Sequence, residues 1–297
     1  MKMLVPGANG QVGHALLRSL ATLGEVAATT RSGRLEDGTG CEKFDLADLD
    51  AIASLLDRTR PDVVVNAAAY TAVDRAEDDI EAAFRTNAEG PRRLAVECAA
   101  RGISLVHYST DYVFDGQGSR PYREDDATAP IGVYGHSKLA GEQAIADSGA
   151  RHLILRTAWV YGLHGANFLR TMLRVGAERD ELRVVADQRG TPTPAWLIAD
   201  ATADILRNGF PESGIVHLVA DGETTWHGFA EAIFDEAMSA GLISRRPVVT
   251  AITTADYPTR ASRPAYSVLD TTRLQQQFGI EPPSWRQALQ TLAAART

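Results

Sequence analysis

Two residues of complementary chemistry, Tyr134 and Lys138, lie four positions apart in the sequence. On a helix this spacing places both side chains on one face, with Cβ atoms about 5–6 Å apart. An ammonium group that close stabilises a phenolate and lowers the phenol pKa from its usual value of about 10. A tyrosine with a lowered pKa can exchange a proton with a carbonyl or alcohol oxygen. The pair therefore predicts proton-transfer chemistry, provided that neighbouring elements build a substrate site beside it.

Hydroxyl and carboxyl groups precede this pair in Ser109, Thr110 and Asp111. Residues 103–109 form a largely apolar stretch that is typical of a buried strand, with Thr110 and Asp111 at its carboxyl end. In a doubly wound sheet, ligands bind at the carboxyl ends of the parallel strands. We therefore expect Thr110 and Asp111 to reach the same site as Tyr134, and Tyr108 to contact a cofactor there.

Three glycines with regular spacing separate a short apolar strand, residues 2–5, from a predicted helix. Glycine permits a tight turn, close approach of the backbone to a pyrophosphate and close packing of helix on sheet. Amide groups at the start of the helix then face the phosphates. The spacing is GxxGxxG rather than GxGxxG, and a tight turn without a ligand is the alternative. Dinucleotide binding is favoured, with contacts predicted from Gly7, Asn9, Gly10, Gln11, Val12 and Gly13.

The ends of the second and third predicted strands bear on the choice of cofactor. Sites that prefer NAD commonly carry an acidic residue after the second strand, whereas this chain has Arg31. Arg31 either pairs with a 2′-phosphate, which favours NADPH over NADH, or is a solvated loop residue. After the third strand, Asp45 either accepts a hydrogen bond from adenine or caps a helix that begins near Ala47. Leu46 beside it is also a predicted cofactor contact.

A continuous apolar run, residues 63–69, ends in small residues, as expected of a parallel strand buried on both faces. Ala67, Ala68 and Ala69 leave room there for the cofactor. Residues 70–74 are predicted to form a loop over the crevice, and residues 76–100 are helical by pattern with a break near Gly90-Pro91.

Repeated strand–helix units predict an α/β fold, a Rossmann-type doubly wound parallel sheet with a smaller C-terminal substrate-binding lobe. Residues 1–158 are assigned to the dinucleotide-binding domain, to which later segments are expected to return. Residues 159–297 are assigned mainly to the lobe.

Composition limits the classes of function. The 297 residues carry a net charge of -8 with no cluster of Lys or Arg, which argues against nucleic acid as a partner. Two cysteines, Cys41 and Cys98, have no metal-like spacing and favour a reducing compartment. The N-terminus lacks the pattern of a secretory signal, and no stretch of about 18 apolar residues predicts a membrane span. We expect a cytoplasmic protein.

Several sequence blocks carry a resemblance to a known family. The blocks are, in chain order, GANGQVG, NAAAYTAVDRAE, STDYVFDG, VYGHSKLAGE, RTAWVYG, DQRGTPT and RPAYSVLDTTRL. With them the chain resembles an extended short-chain dehydrogenase/reductase, and within that superfamily it is similar to the dTDP-4-dehydrorhamnose reductases. The resemblance covers nearly the whole chain.

The resemblance implies the last step of dTDP-L-rhamnose synthesis, in which NADPH or NADH gives hydride to the C4 ketone of dTDP-4-dehydro-L-rhamnose. It assigns Tyr134 as proton donor to the C4 oxygen and Lys138 as ligand of the nicotinamide ribose. Thr110 would polarise or orient the carbonyl, with Ser109 as a weaker candidate. Substrate contacts are implied for Thr71, Val73, Thr110, Asp111, Tyr134 and Trp159.

Two departures refine what the resemblance implies. Related 4,6-dehydratases carry Asp-Glu after the threonine, but Asp111 is followed here by Tyr112, which favours ketone reduction over elimination. Some members of the reductase family hold Mg²⁺ between subunits with a carboxylate on the first helix, where this chain has Ala15 beside His14. We therefore expect no metal site, and the homodimer that accompanies it stays open.

Three alternatives remain at this point. Arg263 either clamps a pyrophosphate oxygen through its bidentate fork or forms a surface ion pair. The chain as a whole could instead reduce or epimerise another nucleotide sugar. It could also be a noncatalytic nucleotide-sensing subunit, since fold does not define function, although such a subunit has no need of the Tyr134–Lys138 pair.

Overall fold

The computed structural model describes residues 1–294. Its strands are, in chain order, β1 (Lys2–Pro6), β2 (Glu25–Thr30), β3 (Glu42–Lys43), β4 (Val63–Asn66), β5 (Ser104–Thr110), β6 (His152–Thr157), β7 (Val160–Tyr161), β8 (Glu181–Val185), β9 (Arg189–Gly190), β10 (Thr193–Pro194), β11 (Gly214–His217), β12 (Thr224–Thr225) and β13 (Val248–Ile252).

The α-helices alternate with these strands through the first half of the chain. They are α1 (Gln11–Leu20), α2 (Ala51–Thr59), α3 (Val73–Ala76), α4 (Ile80–Phe84), α5 (Gly90–Arg101), α6 (Val133–Ala146), α7 (Phe168–Glu178), α8 (Ala195–Arg207), α9 (Trp226–Ser239), α10 (Thr272–Phe278) and α11 (Trp285–Ala294). A π-helix spans Arg85–Glu89, and 3₁₀ turns span Asp111–Val113 and Thr254–Asp256.

Seven strands form one parallel sheet in the order β11-β6-β5-β4-β1-β2-β3. From β1, strands β2 and β3 are added towards one edge of the sheet, and β4, β5, β6 and β11 are added towards the other edge. The order in which strands are added therefore reverses between the neighbours β1 and β4. In such sheets the crevice at the carboxyl ends of the strands beside the reversal binds ligands. The predicted doubly wound sheet is confirmed, and the switch point lies beside the glycine segment.

Both faces of the sheet are covered, which explains the continuous apolar runs in its strands. Met3 and Val5 of β1 pack on one face together with Leu16 of α1. Leu4 points to the opposite face, where it packs with Leu55 of α2. This alternation follows the two-residue period of a strand.

The second half of the chain contributes to two regions. Strand β11 joins the central sheet beside β6, and α8 packs against α1. Helices α7, α9 and α11 instead surround a separate aromatic core that contains Phe229 and Tyr161. No helix within residues 1–294 combines the length and apolarity that crossing a bilayer requires.

Two local expectations need correction. Helix α2 begins at Ala51 rather than near Ala47, and Asp45 Oδ1 accepts from the Ala47 amide at 3.0 Å within a turn. Asp45 therefore caps a turn and not a helix, because its short side chain bonds the backbone two residues on. The expected break near Gly90-Pro91 in the stretch 76–100 lies instead at residues 77–79. At Gly90 the π-helix passes directly into α5, whose first turn suits proline.

Candidate active site

Helix α6 carries Tyr134 and Lys138, and its N-terminus is held by a residue distant in sequence. Glu77 Oε1 accepts a hydrogen bond from the Val133 amide at 2.9 Å. The first amides of a helix have no partner within it, so the carboxylate both satisfies a donor and suits the positive end of the helix dipole. Glu77 therefore helps to define where α6 begins and where Tyr134 lies.

A hydroxyl and a carboxylate stand next to Tyr134 at the carboxyl end of β5. Thr110 Oγ1 donates to Asp111 Oδ1 at 2.9 Å and accepts from the Tyr112 amide at 3.2 Å. Burial raises the pKa of Asp111 to about 6, while hydrogen bonds from Ser267 and Thr110 act in the opposite direction. Asp111 Oδ2 is buried without a hydrogen-bond partner among residues 1–294, so it can accept one from a ligand.

The predicted lowering of the Tyr134 pKa is wrong for this arrangement. Although the side chain is half-buried, the protein around its hydroxyl desolvates it and raises the Tyr134 pKa to about 12, while Thr110 acts in the opposite direction. Lys138 Nζ donates to the Tyr108 carbonyl at 2.6 Å and lies 3.1 Å from His107 Nε2, so its charge is directed towards β5. Burial in turn lowers the pKa of Lys138 to about 8, and Glu142 raises it.

A cleft of about 820 Å³ opens at the carboxyl ends of β1, β2 and β4. At its floor Gly7 has φ +80°, and a Cβ there would lie 2.7 Å from Ala68 Cα. A Cβ on Gly13 would overlap the Gly7 carbonyl oxygen, so α1 can approach only because both positions are glycine. This flat cradle before a helix N-terminus fits a dinucleotide. The predicted residues that line the cleft are Gly7, Asn9, Gly10, Arg31, Asp45, Leu46, Ala67, Ala68, Ala69 and Thr71.

Other predicted cofactor residues lie around the cleft without lining it. Gln11 Nε2 donates to the Val160 carbonyl at 3.4 Å, and Val12 packs against the core. The Tyr108 hydroxyl bonds with Thr202 at 2.8 Å inside the core, so only its carbonyl faces Lys138. Cofactor contacts by these residues stay predictions.

A loop near the C-terminal end of the chain contacts α3. Asp74, in α3 directly after Val73, accepts from the Ala261 amide at 3.0 Å and pairs with Arg263 Nη2 at 2.7 Å. Of the two alternatives predicted for Arg263, the structure contains the ion pair, which links Arg263 to Asp74 of α3. Arg263 Nη1 is buried without a hydrogen-bond partner within the described chain, and its pyrophosphate role stays a prediction.

Trp159 lies at the end of β6 in an uncommon backbone conformation, with φ +46°. Its ring stacks on Trp226 with centroids 3.5 Å apart and an interplanar angle of 4°. Left-handed backbone in a non-glycine residue costs about 1–3 kcal/mol and clusters at binding sites. Trp226 thus supports the Trp159 ring by stacking, and the contact of Trp159 with substrate stays a prediction.

The sequence also missed Asn87, which lies in the π-helix. Its side chain accepts from the Tyr70 amide at 2.8 Å and donates to the Tyr70 carbonyl at 2.9 Å and to Ser137 Oγ at 3.0 Å. The crevice loop is thereby tied to α6 immediately before Lys138. The sequence carries no clear signal for Asn87, because residues 85–89 around it are mostly polar. π-helical turns often occur at functional sites.

At the position where the resemblance implied a metal ligand in some family members, Ala15 is half-buried, and His14 stacks on His164 with centroids 3.9 Å apart. Burial and His164 lower the pKa of His14. Within residues 1–294, no three His, Cys, Asp or Glu side chains are arranged to hold a metal ion.

The parallel doubly wound sheet, the glycine cradle and the nearby Tyr134 and Lys138 define an NAD(P)-dependent enzyme of the short-chain dehydrogenase/reductase class. Sequence comparison narrows the class. A model of the RmlD substrate binding domain family matches residues 1–297, and the chain belongs to this family.

Relatives in the family are similar over almost their full length. The dTDP-4-dehydrorhamnose reductase of Burkholderia thailandensis is 47% identical, covering 97% of this chain and 97% of its own. That of Escherichia coli K12 is 45% identical, covering 96% and 95%. The predicted membership of the dTDP-4-dehydrorhamnose reductase family is confirmed.

Solved structures agree with the fold. The Bacillus anthracis dTDP-4-dehydrorhamnose reductase in complex with NADP is 32% identical, with a TM-score of 0.89 and coverage of 100% and 99%. The Thermus thermophilus UDP-glucose 4-epimerase with NAD has a TM-score of 0.82 at 21% identity, which shows a shared fold only.

Proposed function

We propose that the chain reduces the C4 ketone of dTDP-4-dehydro-L-rhamnose to dTDP-L-rhamnose with hydride from NADPH or NADH. The proposal is supported by the hydrogen bond between Thr110 and Tyr134, and by the bond from Lys138, one helical turn later, to the Tyr108 carbonyl of β5, in a chain whose relatives are named dTDP-4-dehydrorhamnose reductases. We infer further that the lobe after Trp159 contributes most sugar and base contacts.

The nicotinamide, when bound, supplies the hydride, and the chain supplies the proton. Tyr134 suits the donor role because a pKa of about 12 keeps its hydroxyl protonated throughout the neutral range. As negative charge develops on the C4 oxygen, that hydroxyl transfers its proton and becomes a phenolate, which the Lys138 ammonium stabilises. Thr110, whose hydroxyl donates to Asp111 Oδ1 in this structure, orients the carbonyl by turning its proton to the C4 oxygen, and Asp111 Oδ2 accepts from a sugar hydroxyl.

The direct test is oxidation of NADPH by purified protein with dTDP-4-dehydro-L-rhamnose as substrate. We expect turnover that depends on both compounds and yields the 4-hydroxy sugar. Turnover only with another member of a panel of nucleotide 4-keto sugars would favour the alternative that the chain reduces or epimerises another nucleotide sugar. Absence of turnover together with a stoichiometric partner in a pull-down would favour a noncatalytic subunit.

Arg31 supports NADPH as the preferred cofactor. It lines the cleft and is exposed, whereas Arg34 lies outside the lining and donates to the Gly38 carbonyl at 3.4 Å. A charged hydrogen bond contributes about 1.5–3 kcal/mol, so Arg31→Ala should raise KM for NADPH by roughly 10- to 100-fold and leave KM for NADH nearly unchanged. Steady-state kinetics with both cofactors measures this.

Arg34→Ala is the matched control for Arg31, since it removes the same charge three residues away. It should change neither constant by more than about twofold, as expected of an exposed charge outside the site. Equal losses with NADPH and NADH in Arg31→Ala would contradict recognition of the 2′-phosphate.

A further inference from the structure

We propose that His107, a buried residue of β5 outside the Thr–Tyr–Lys triad, is a positioning residue that holds the Lys138 ammonium by accepting its hydrogen bond. The inference rests on the proposed reductase function and deepens it. It assigns to His107 a role in the reaction rather than a role in packing alone.

The first support is the set of contacts at Lys138 Nζ. His107 is 1% exposed and Lys138 is 2% exposed, so neither group reaches bulk solvent. The ammonium has three donors. One reaches the Tyr108 carbonyl at 2.6 Å and a second faces His107 Nε2 at 3.1 Å. The two neighbouring residues of β5 thus take two donors and leave one for the crevice.

The second support is the charge of His107. Burial and the neighbouring ammonium hold the pKa of His107 well below its usual value, so the ring is neutral near pH 7. A neutral imidazole has one nitrogen that accepts a hydrogen bond. That nitrogen must be Nε2 if the ring is to bind the ammonium.

Asn66 of β4 supplies a competing donor, since its Nδ2 lies 3.0 Å from His107 Nδ1. A hydrogen bond from a charged donor is roughly twice as strong as a neutral one. We therefore expect the single accepting nitrogen of His107 to bind Lys138 rather than Asn66. The proton then resides on Nδ1, and Asn66 turns its carboxamide oxygen towards it, because both amide orientations share one outline. In this structure the Ala68 amide donates to Asn66 Oδ1 at 3.2 Å, and turning the carboxamide breaks that bond. The Ala68 amide is half-buried at the cleft, where a ligand can then accept from it.

Other charged groups near Lys138 do not replace His107. Glu142 follows one turn later on α6, but both its oxygens bind Arg156, at 2.9 and 2.7 Å. Tyr134 precedes Lys138 by one turn and is protonated, because burial raises its pKa to about 12. Among the described side chains, His107 is the acceptor that lies on Nζ itself.

The test compares His107→Asn with His107→Gln, which differ in reach. The glutamine carboxamide reaches the place of Nε2, whereas that of asparagine reaches only the place of Nδ1. We expect His107→Asn to lower kcat by about 100-fold, the loss that a misplacement of about 1 Å causes, with little change in KM. His107→Gln should recover most of this loss, and similar kcat values for the two variants would overturn the proposal.

The pH profile of kcat provides a readout that packing damage would not reproduce. An acceptor stabilises the ammonium, so its loss lowers the Lys138 pKa and moves the basic limb to lower pH. We expect that shift in His107→Asn and not in His107→Gln. His152→Asn is the control, since His152 is buried on β6 but bonds the Ala150 carbonyl at 2.9 Å, and it should leave both kcat and the profile unchanged.

A measurement on the wild-type protein needs neither activity nor a variant. Nitrogen NMR of protein with ¹⁵N-labelled histidine shows which ring nitrogen carries the proton. The proposal requires the proton of His107 on Nδ1, and a proton on Nε2 would overturn it even if all variants were unfolded. If the wild type failed to reduce any 4-keto sugar, the reductase function would fall while this tautomer result still stood.

Discussion

Replacing Tyr134 with phenylalanine is expected to lower kcat by about 10²–10⁴-fold, the usual contribution of a positioned proton donor. The ring remains to fill its place against Tyr112, with which it makes an edge contact at 5.5 Å between centroids. Binding of the sugar nucleotide should therefore change little, and KM should stay within about threefold, because the lost interaction acts in the transition state. Steady-state NADPH oxidation at saturating substrate measures the effect.

Tyr161→Phe is the matched control for Tyr134→Phe. Tyr161 is 1% exposed, and its hydroxyl has no hydrogen-bond partner among residues 1–294. Removing that hydroxyl breaks no hydrogen bond, so both activity and stability should be retained. A wild-type rate in Tyr134→Phe, or an equal loss in Tyr161→Phe, would show that proton donation by Tyr134 is not required.

Replacing Glu142 with glutamine is expected to lower the free energy of unfolding by about 3–5 kcal/mol. Glu142 of α6 and Arg156 of β6 form a bidentate pair, and their side chains are 2% and 3% exposed. The substitution leaves the guanidinium buried with no opposing charge beside it, and its desolvation then opposes folding. Urea denaturation followed by circular dichroism measures the change.

Glu42→Gln is the control for this stability effect. Glu42 pairs with Arg58 at 3.2 Å, but the two side chains are 42% and 53% exposed. Water screens such a pair, so the loss should stay within about 1 kcal/mol. Similar losses in both variants would mean that burial of the Glu142–Arg156 pair does not govern its contribution.

The site and the stabilising pair share one helix. Lys138 and Glu142 are four residues apart on α6, and the first faces β5 while the second binds β6. The helix is therefore fixed to two central strands by charged groups whose partners are buried. We expect Glu142→Gln to reduce activity as well, because Lys138 depends on the same helix position.

The local parts of the site follow from the sequence. A spacing of four residues predicts that Tyr134 and Lys138 share one face of a helix, and both lie in helix α6, Val133–Ala146. The glycine at position 7 indicates a turn that no side chain can occupy, and its φ of +80° agrees. Apolar runs without alternation predict strands covered on both faces, and the sheet contains them. Each inference uses only neighbours within a few residues along the chain.

The contacts that control the chemistry required the folded chain. Lys138 binds residues 30 and 31 positions earlier, and Asn87 reaches Ser137 across 50 positions. The Tyr134 pKa rises because desolvation outweighs the hydrogen bond with Thr110, while the Lys138 ammonium faces β5, an arrangement that spacing does not reveal. Periodicity reports which face of an element is buried, whereas charge, pKa and hydrogen-bond polarity depend on which distant elements come to surround each group.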